Sequence, residues 1–217
     1  MLSEAEIKKE VFIALKKGID NILSENESLI NDNKIDIEAL AAKSGIKDIQ
    51  EVTPNEMKRI REEFFNSHAC LMGKTIFLNN EDNPEKKRFS VAHEIFHHIC
   101  RGDNEMLAVA RHGEVWKKEN EGSDGAYVET IADYFAANLL IPTELFILFD
   151  EKTDKEIALI FNVEEKCIKK RRTEIEQEIV LLEPEDLASD VIVEDKTPLT
   201  LDEIHEALKG NGVEGQV

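Results

Sequence analysis

The pattern His93-Glu94-x-x-His97 holds the residues with the clearest capacity for chemistry in this chain. On a helix, residues four apart lie on one face, so His93 and His97 can offer two imidazoles to a single ion. Glu94 is rotated about 100° from His93 and would lie beside the ion, where a base can take a proton from a water molecule that the ion activates. Alone the pattern is weak, because two of its positions are free and a histidine on a helix is more often a solvated or core residue.

The residues around this pattern predict the helix that it needs. Apolar residues recur at intervals of three and four, which indicates a buried helical face; they are Phe89, Ala92, Phe96 and Ile99. Asn83 can cap the start, and Pro84 and Glu85 suit the first turn. Arg101-Gly102 provides a basic last turn and a glycine stop. We therefore predict a half-buried helix of about five turns, which is the setting that a metal site needs.

Glu129 is the candidate for the third protein ligand that a zinc hydrolase requires beside one open position. It lies in a second predicted helix, ended by Pro142, whose apolar face comprises Val128, Ile131, Ala132, Phe135 and Leu139. Glu129 and Asp133 flank that face, so both would point toward the first helix. Asp133 could then accept the free N–H of a metal-bound histidine and fix its tautomer. The alternative is an ordinary solvated pair of acids.

Two longer segments carry a resemblance to a known family. Glu129-x-x-Ala132-Asp133 is similar to the third-ligand signature of gluzincin metallopeptidases. The chain from about residue 35 to about residue 172 resembles the ImmA/IrrE family of metallo-endopeptidases through two segments. These are 88–94, Arg-Phe-Ser-Val-Ala-His-Glu, and 135–142, Phe-Ala-Ala-Asn-Leu-Leu-Ile-Pro.

The resemblance implies an activity and a substrate class. Family members are small intracellular proteases, often from mobile elements or stress pathways, that cleave helix-turn-helix repressors. It therefore implies a zincin-like fold and a protein substrate for this chain. The N-terminal helix and the acidic C-terminal tail depart from the family pattern, and the resemblance assigns them no role.

The composition and net charge of the chain disfavour some classes of binding partner. The 217 residues carry a formal charge of −19, and residues 183–217 hold ten acids and two bases, which contribute −8 of it. This balance opposes general nucleic-acid binding and attachment to anionic membranes, and it favours a basic partner or simply solubility. The three cysteines are far apart and form no C-x-x-C pattern, and no signal peptide or 18-residue apolar run is present. We expect a cytoplasmic protein without disulfides.

We predict an α+β fold, in which a small, mostly helical zincin-like metalloprotease domain carries a short antiparallel sheet. Residues 1–33 would form an N-terminal helical extension, with a helix over 3–23 and a polar linker over 21–33. The metalloprotease domain would span 34–150, with a helix over 36–44, a strand over 46–52, a helix over 55–65 and a hairpin over 68–78. A free edge of this sheet could hold an extended substrate segment by strand addition.

Residues 151–182 are predicted to form a helix-turn-helix-like C-terminal element. Its basic patch comprises Lys166, Lys169, Lys170, Arg171 and Arg172. DNA contact is one interpretation. Against it, 151–182 hold seven bases and eight acids, so a packing unit with a solvated basic face is favoured. Docking of an acidic region, such as the chain's own tail, lies between the two.

The tail, residues 183–217, contains one segment with helical signals. Thr200 and Glu203 form a capping box ahead of an apolar stripe that ends before Gly210. A helix of about three turns is marginal alone and would need a groove to dock into. Docking over the protease cleft would make the tail autoinhibitory.

The leading hypothesis is a zinc-dependent endopeptidase in which His93, His97 and Glu129 bind the ion and Glu94 is the base. Manganese is an alternative ion, because imidazole and carboxylate ligands accept both. The oxyanion needs a further donor, for which the candidates are His112 and Tyr127, with His68 and His98 weaker. The rivals are a non-catalytic regulator that binds DNA or a repressor through residues 153–175, and a plain interaction module.

Overall fold

A computed structural model describes residues 4–60, 62, 67–101, 126–149 and 151–181 of the chain. The helices are α1 (Glu4–Glu25), α2 (Ile37–Lys43), α3 (Pro54–Ile60), α4 (Pro84–Cys100), α5 (Ala126–Leu140), α6 (Thr143–Ile147), α7 (Asp154–Phe161) and α8 (Glu165–Leu181). The strands are β1 (Ile30–Asn31), β2 (Lys34–Ile35), β3 (Asp48–Val52), β4 (Ala69–Met72) and β5 (Thr75–Asn79). The predicted α+β, mostly helical fold is confirmed.

The main sheet has three strands in the order β3-β5-β4. β4 and β5 form the predicted antiparallel hairpin, with Ala69 opposite Leu78 and Gly73 in the left-handed conformation (φ 62°) at its turn. β3 runs parallel to β5, with Asp48 opposite Thr75. The sheet is therefore mixed rather than wholly antiparallel. Parallel strands need a crossover connection, and α3 lies in the connection from β3 to the hairpin. β4 is an edge strand among the described residues.

Helix α4 lies at the centre of the fold. It begins where the sequence predicts, because the Asn83 side chain accepts a hydrogen bond from the Lys86 N–H at 2.8 Å and Pro84 occupies the first turn. Its buried residues include Ala92, Ile95 and Phe96. The helix packs against β4, β5, α2 and α5. These contacts fix the position of α4 and hold its side chains in place.

The N-terminal helix belongs to the same hydrophobic core. Val11, Leu15 and Ile19 of α1 are buried, and α1 packs against α5 and α8. The predicted linker over residues 21–33 is not one. α1 continues to Glu25, a short 3-10 helix follows over Glu27–Leu29, and β1 and β2 form a hairpin. Asp32 and Asn33 take left-handed backbone angles at its turn (φ 49° and 62°), which their short polar side chains tolerate.

The C-terminal element consists of α7 and α8. Thr153 and Glu156 form a capping box at the start of α7, and Asn162 ends that helix in the left-handed conformation (φ 54°). α8 runs several residues beyond the predicted end at residue 175. The tail over 183–217, including its predicted helix, lies outside the described residues, as does the end of the helix predicted over 55–65.

Two further expectations concern the surface and the thiols. Within the described ranges, no helix is both long enough and apolar enough to cross a bilayer. Cys70, Cys100 and Cys167 form no disulfide among the described residues. Cys70 and Cys100 are buried among apolar residues, so they act as small core side chains.

Candidate metal centre

Helix α4 presents two imidazoles on one face. His93 and His97 are one helical turn apart, and their Nε2 atoms lie 3.0 Å from each other. The ring centroids are 4.8 Å apart. Phe96 packs edge-on against the His97 ring at a centroid distance of 5.9 Å, which restricts that ring. The predicted pairing of the two histidines is therefore present.

Helix α5 brings a carboxylate to the same point. Oε2 of Glu129 lies 3.1 Å from the His93 Nε2 atom, and Oε1 lies 3.4 Å from the His97 Nε2 atom. One ligand atom from each of these three residues lies within 4.8 Å of the other two. The Glu129 side chain is 61% exposed, whereas the imidazoles are 16% and 22% exposed. The carboxylate therefore approaches the histidines from the solvent side.

The chemistry of these atoms fits a divalent cation. Ligand atoms about 2.1 Å from a tetrahedral ion lie about 3.4 Å from one another. Here the two imidazole Nε2 atoms are 3.0 Å apart, and the two oxygens of Glu129 lie 3.1 and 3.4 Å from them. His93 Nδ1 lies 3.0 Å from Oδ1 of Asp133, so that nitrogen donates to the carboxylate. A neutral His93 then directs its Nε2 lone pair toward the Glu129 carboxylate. Two acceptors facing each other require a cation or a proton between them.

The pKa values of His93 and Glu129 are shifted in the directions that favour a shared proton or cation between the two side chains. Burial favours the neutral imidazole, but hydrogen bonds to Asp133 and Glu129 outweigh it and raise the pKa of His93 to about 9. Hydrogen bonds from His93 and His97 lower the pKa of Glu129 well below its ordinary value. A carboxylate that is ionised across the physiological range is a suitable ligand for a hard or borderline cation.

Glu94 lies in a different setting from Glu129. Its side chain is buried, and burial raises the pKa of Glu94 although the nearby His97 and His93 imidazoles act against this. Among the described residues, its carboxylate makes no hydrogen bond. A carboxylate with a raised pKa and free lone pairs beside a cation site can accept a proton from water and pass it on.

Two cavities border the cluster. One has a volume of about 270 Å³ and is lined by His93, Glu94 and Glu129 together with His68 at the start of the hairpin. The other, of about 440 Å³, is lined by Glu94, His97 and Glu129. Ala69 of the edge strand β4 borders both cavities. The cluster therefore lies in a cleft that runs beside an edge strand.

A comparison of the sequence with models of protein families identifies the family of this chain. The IrrE N-terminal-like domain, which is a peptidase family, matches residues 41–173, a range that includes α4 and α5 with all three ligand candidates. The chain belongs to the IrrE N-terminal-like domain family. The resemblance to the ImmA/IrrE family that the sequence shows is thereby confirmed.

Individual relatives of this IrrE-like chain are more distant. The radiation response metalloprotease IrrE of Deinococcus deserti is 37% identical over 71 residues, which are 32% of this chain and 23% of that protein. A transcriptional regulator of Mycobacterium tuberculosis is 14% identical, with a TM-score of 0.39, over 72% of this chain and 51% of that one. The chain thus matches less than a quarter of the length of the radiation response metalloprotease.

The other predicted site residues of this IrrE-like chain do not all lie beside the three ligand candidates. Oδ1 of Asp133 lies 3.0 Å from Nδ1 of His93. His112 and the side chain of Tyr127 lie outside the described residues, so their role as oxyanion donors stays a prediction. His98 is rotated about 100° from His97 on α4, and its Nε2 atom lies close to Gly45. His68 lines the smaller cavity and its Nδ1 atom lies 2.9 Å from Oδ2 of Asp82.

Sequence reasoning missed one contact of the centre. Lys170, assigned to the basic patch of the C-terminal element, has its Nζ atom 3.4 Å from Oδ2 of Asp133. No local signal could reveal this, because 37 residues separate the two side chains along the chain. Only the packing of α8 against α5 brings them together.

Proposed function

We propose that this chain is a zinc-dependent endopeptidase. The observation that carries the proposal is the convergence of His93, His97 and Glu129 at 3.0–3.4 Å, with the buried Glu94 carboxylate beside them. Membership of a peptidase family supports the same reaction class. Manganese is the alternative ion, since the two imidazoles and one carboxylate suit both.

His93, His97 and Glu129 would hold the ion. When bound, a divalent ion supplies Lewis-acid chemistry: it lowers the pKa of a water molecule and polarises the scissile carbonyl. Asp133 accepts a hydrogen bond from the His93 Nδ1–H, with 3.0 Å between nitrogen and oxygen, which leaves the Nε2 lone pair of that ring directed toward Glu129. Three protein ligands would leave a metal ion accessible to a substrate in the cleft.

Glu94 would act as the general base and then as the general acid. Its carboxylate takes a proton from water as the oxygen attacks the peptide carbon, and it returns that proton to the amine as the C–N bond breaks. Burial raises the pKa of Glu94, and this brings its proton affinity closer to that required for both steps. Its place on the wall of both cavities allows access to the two sides of a scissile bond.

The substrate would bind as an extended segment along β4. This strand has β5 as its partner on one side, and among the described residues its other edge has none. Main-chain hydrogen bonds to an edge strand hold a peptide without regard to its side chains. Because Ala69 of β4 borders both cavities, such a segment would pass directly beside Glu94 and Glu129. By resemblance, we propose that the natural substrate is a helix-turn-helix repressor cut in an exposed linker.

The test is the substitution Glu94→Gln. Glutamine keeps the shape of the side chain but cannot accept the proton, so we expect zinc content to stay at one ion per chain. Cleavage of unfolded casein, or of a purified helix-turn-helix repressor, should fall by roughly 10²- to 10⁴-fold. The matched control is Glu85→Gln in the first turn of the same helix, which should leave both quantities unchanged. Full activity of the Glu94 variant would remove this residue from the mechanism.

A further inference from the structure

The C-terminal helix α8 contacts the metal centre through a short series of side chains. The Lys170 ammonium lies 3.4 Å from Oδ2 of Asp133, and Oδ1 of the same carboxylate lies 3.0 Å from Nδ1 of His93. His93 in turn presents Nε2 to Glu129 and His97. The series therefore joins α8, α5 and α4, three helices that are far apart in the sequence.

The position of Lys170 is fixed by its neighbour. Arg171 is fully buried, and its guanidinium donates to the main-chain oxygen of Ile141 at 3.1 Å and to the Thr143 hydroxyl at 2.6 Å. It also contacts Asn138 and the buried Glu178 carboxylate. These contacts hold this turn of α8 against the end of α5 and the start of α6. The backbone of Lys170 is thus held within reach of Asp133.

The Asp133 carboxylate depends on both partners for its orientation. Its side chain is 41% exposed, and in the described part of the chain its partners are His93 and Lys170. A half-exposed carboxylate with one partner can rotate toward water. With two partners on its two oxygens, it stays aligned with the His93 ring.

We propose that Lys170 is a positioning residue of the metal centre, which acts through Asp133 to hold the His93 ring in its metal-binding orientation. This inference rests on the proposed metal site, and it gives the C-terminal element a role in that site. Helix α8, for which the sequence pattern left DNA contact as one interpretation, would instead help to hold the metal centre in place.

The sign of the effect on metal affinity separates orientation from simple charge. The Lys170 cation repels a bound cation, so removing its charge would tighten metal binding if Coulomb repulsion were its only effect. Lys170 is 51% exposed, and water and salt screen that repulsion. Loss of orientation acts in the opposite direction, because a misaligned histidine binds a metal less tightly. A weakened affinity is therefore the signature of positioning.

The experiment compares Lys170→Met with Lys169→Met in the full chain. Lys169 lies next to Lys170 on the same helix, is 64% exposed and pairs with Glu165, so it controls for net charge and helix content. The Kd for Zn²⁺ is measured by competition with a chromophoric chelator, and no substrate is needed. Substitution of a direct partner of a metal-bound histidine costs 10- to 100-fold in affinity. For Lys170→Met, one contact further away, we expect a loss of about three- to tenfold, with no change for Lys169→Met.

Two further variants test the route through Asp133. In an Asp133→Ala background, Lys170→Met should cause no additional loss, since the carboxylate that it orients is gone. Lys170→Arg, which keeps the charge and the hydrogen-bond donors, should restore affinity to within about twofold of the wild type. The visible spectrum of the Co²⁺-loaded protein should shift for Lys170→Met and stay unchanged for Lys169→Met.

The outcomes divide cleanly. The positioning role would be overturned if Lys170→Met left the Zn²⁺ affinity unchanged or made it tighter. It would also be overturned if Lys169→Met caused an equal loss of affinity, or if Lys170→Met caused the same loss in the Asp133→Ala background as in the wild type. If the wild type binds no zinc, the metal centre and this inference both fail. If zinc binds with the expected pattern but neither casein nor a repressor is cut, the positioning role stands and the proposed peptidase function fails.

Discussion

Arg171 and Glu178 form an ion pair that is closed to solvent, with side-chain exposures of 0% and 1%. The two residues lie two turns apart on α8, and the Tyr134 hydroxyl donates to the same Glu178 carboxylate at 2.6 Å. The Thr143 hydroxyl adds a further hydrogen bond to it at 3.1 Å. The carboxylate is therefore fully paired, and the pair links α8 to α5 and α6.

Loss of this arginine should destabilise the protein strongly. Arg171→Met leaves the Glu178 carboxylate buried without its cation, and removing one partner of a buried pair costs about 3–5 kcal/mol. We expect the urea midpoint to fall accordingly. Arg172→Met is the control, because Arg172 is 30% exposed and pairs with Asp154 at the surface, where an ion pair contributes about 0–1 kcal/mol. Equal stability of the two variants would contradict the structural role of the buried pair.

Metal content should depend on His97 and not on its neighbour. His97→Ala removes one of three ligand candidates, so zinc bound per chain should fall from one to near zero after dialysis. His98→Ala is the matched control, because the His98 Nε2 atom lies close to Gly45 and His98 is not part of the cluster of His93, His97 and Glu129. Elemental analysis of the purified proteins gives the answer. Retention of a full equivalent by the His97 variant would mean that the ion binds elsewhere.

The metal-free protein should lose stability as the pH rises. The folded pKa of His93, about 9, lies above the value of about 6.5 for an exposed imidazole. The protonated ring therefore contributes stability that is complete below pH 6.5 and is lost as the pH approaches 9. Urea unfolding in the presence of a chelator should show this decline, and His93→Gln should show a smaller one.

Zinc binding should release a proton for the same reason. At pH 7.5 the metal-free His93 ring carries two protons, and a metal ligand must give up one of them. Calorimetric titrations with Zn²⁺ in buffers of different ionisation enthalpy should give about one proton released per ion. A value near zero would show that His93 is already neutral in the metal-free protein.

DNA binding through the C-terminal element should be absent. Every basic residue of its patch has an acidic partner: Lys166 pairs with Glu164, Lys169 with Glu165, Lys170 with Asp133, Arg171 with Glu178 and Arg172 with Asp154. Phosphate contacts would have to compete with these carboxylates and with a net charge of −19. We expect no mobility shift of duplex DNA at low salt. A shift that weakens steeply with salt would revive the regulator hypothesis.

The sequence by itself determined the local parts of this protein. The spacing of His93 and His97, the cap at Asn83 and the apolar stripes of α4 and α5 depend on interactions within a few residues, and such patterns are visible in one dimension. The positions of Glu129 and Asp133 beside the apolar face of their helix predicted them as partners of those histidines, and the resemblance to a family supported this prediction.

Only the tertiary structure decided which distant groups meet. Whether Glu129 reaches the histidines depends on how α4 and α5 pack, and a helical pattern gives a face but no crossing angle. The parallel pairing of β3 depends on the path of a crossover, and the contact between Lys170 and Asp133 depends on a buried arginine that draws α8 onto α5. These contacts join residues tens of positions apart, so no local pattern encodes them.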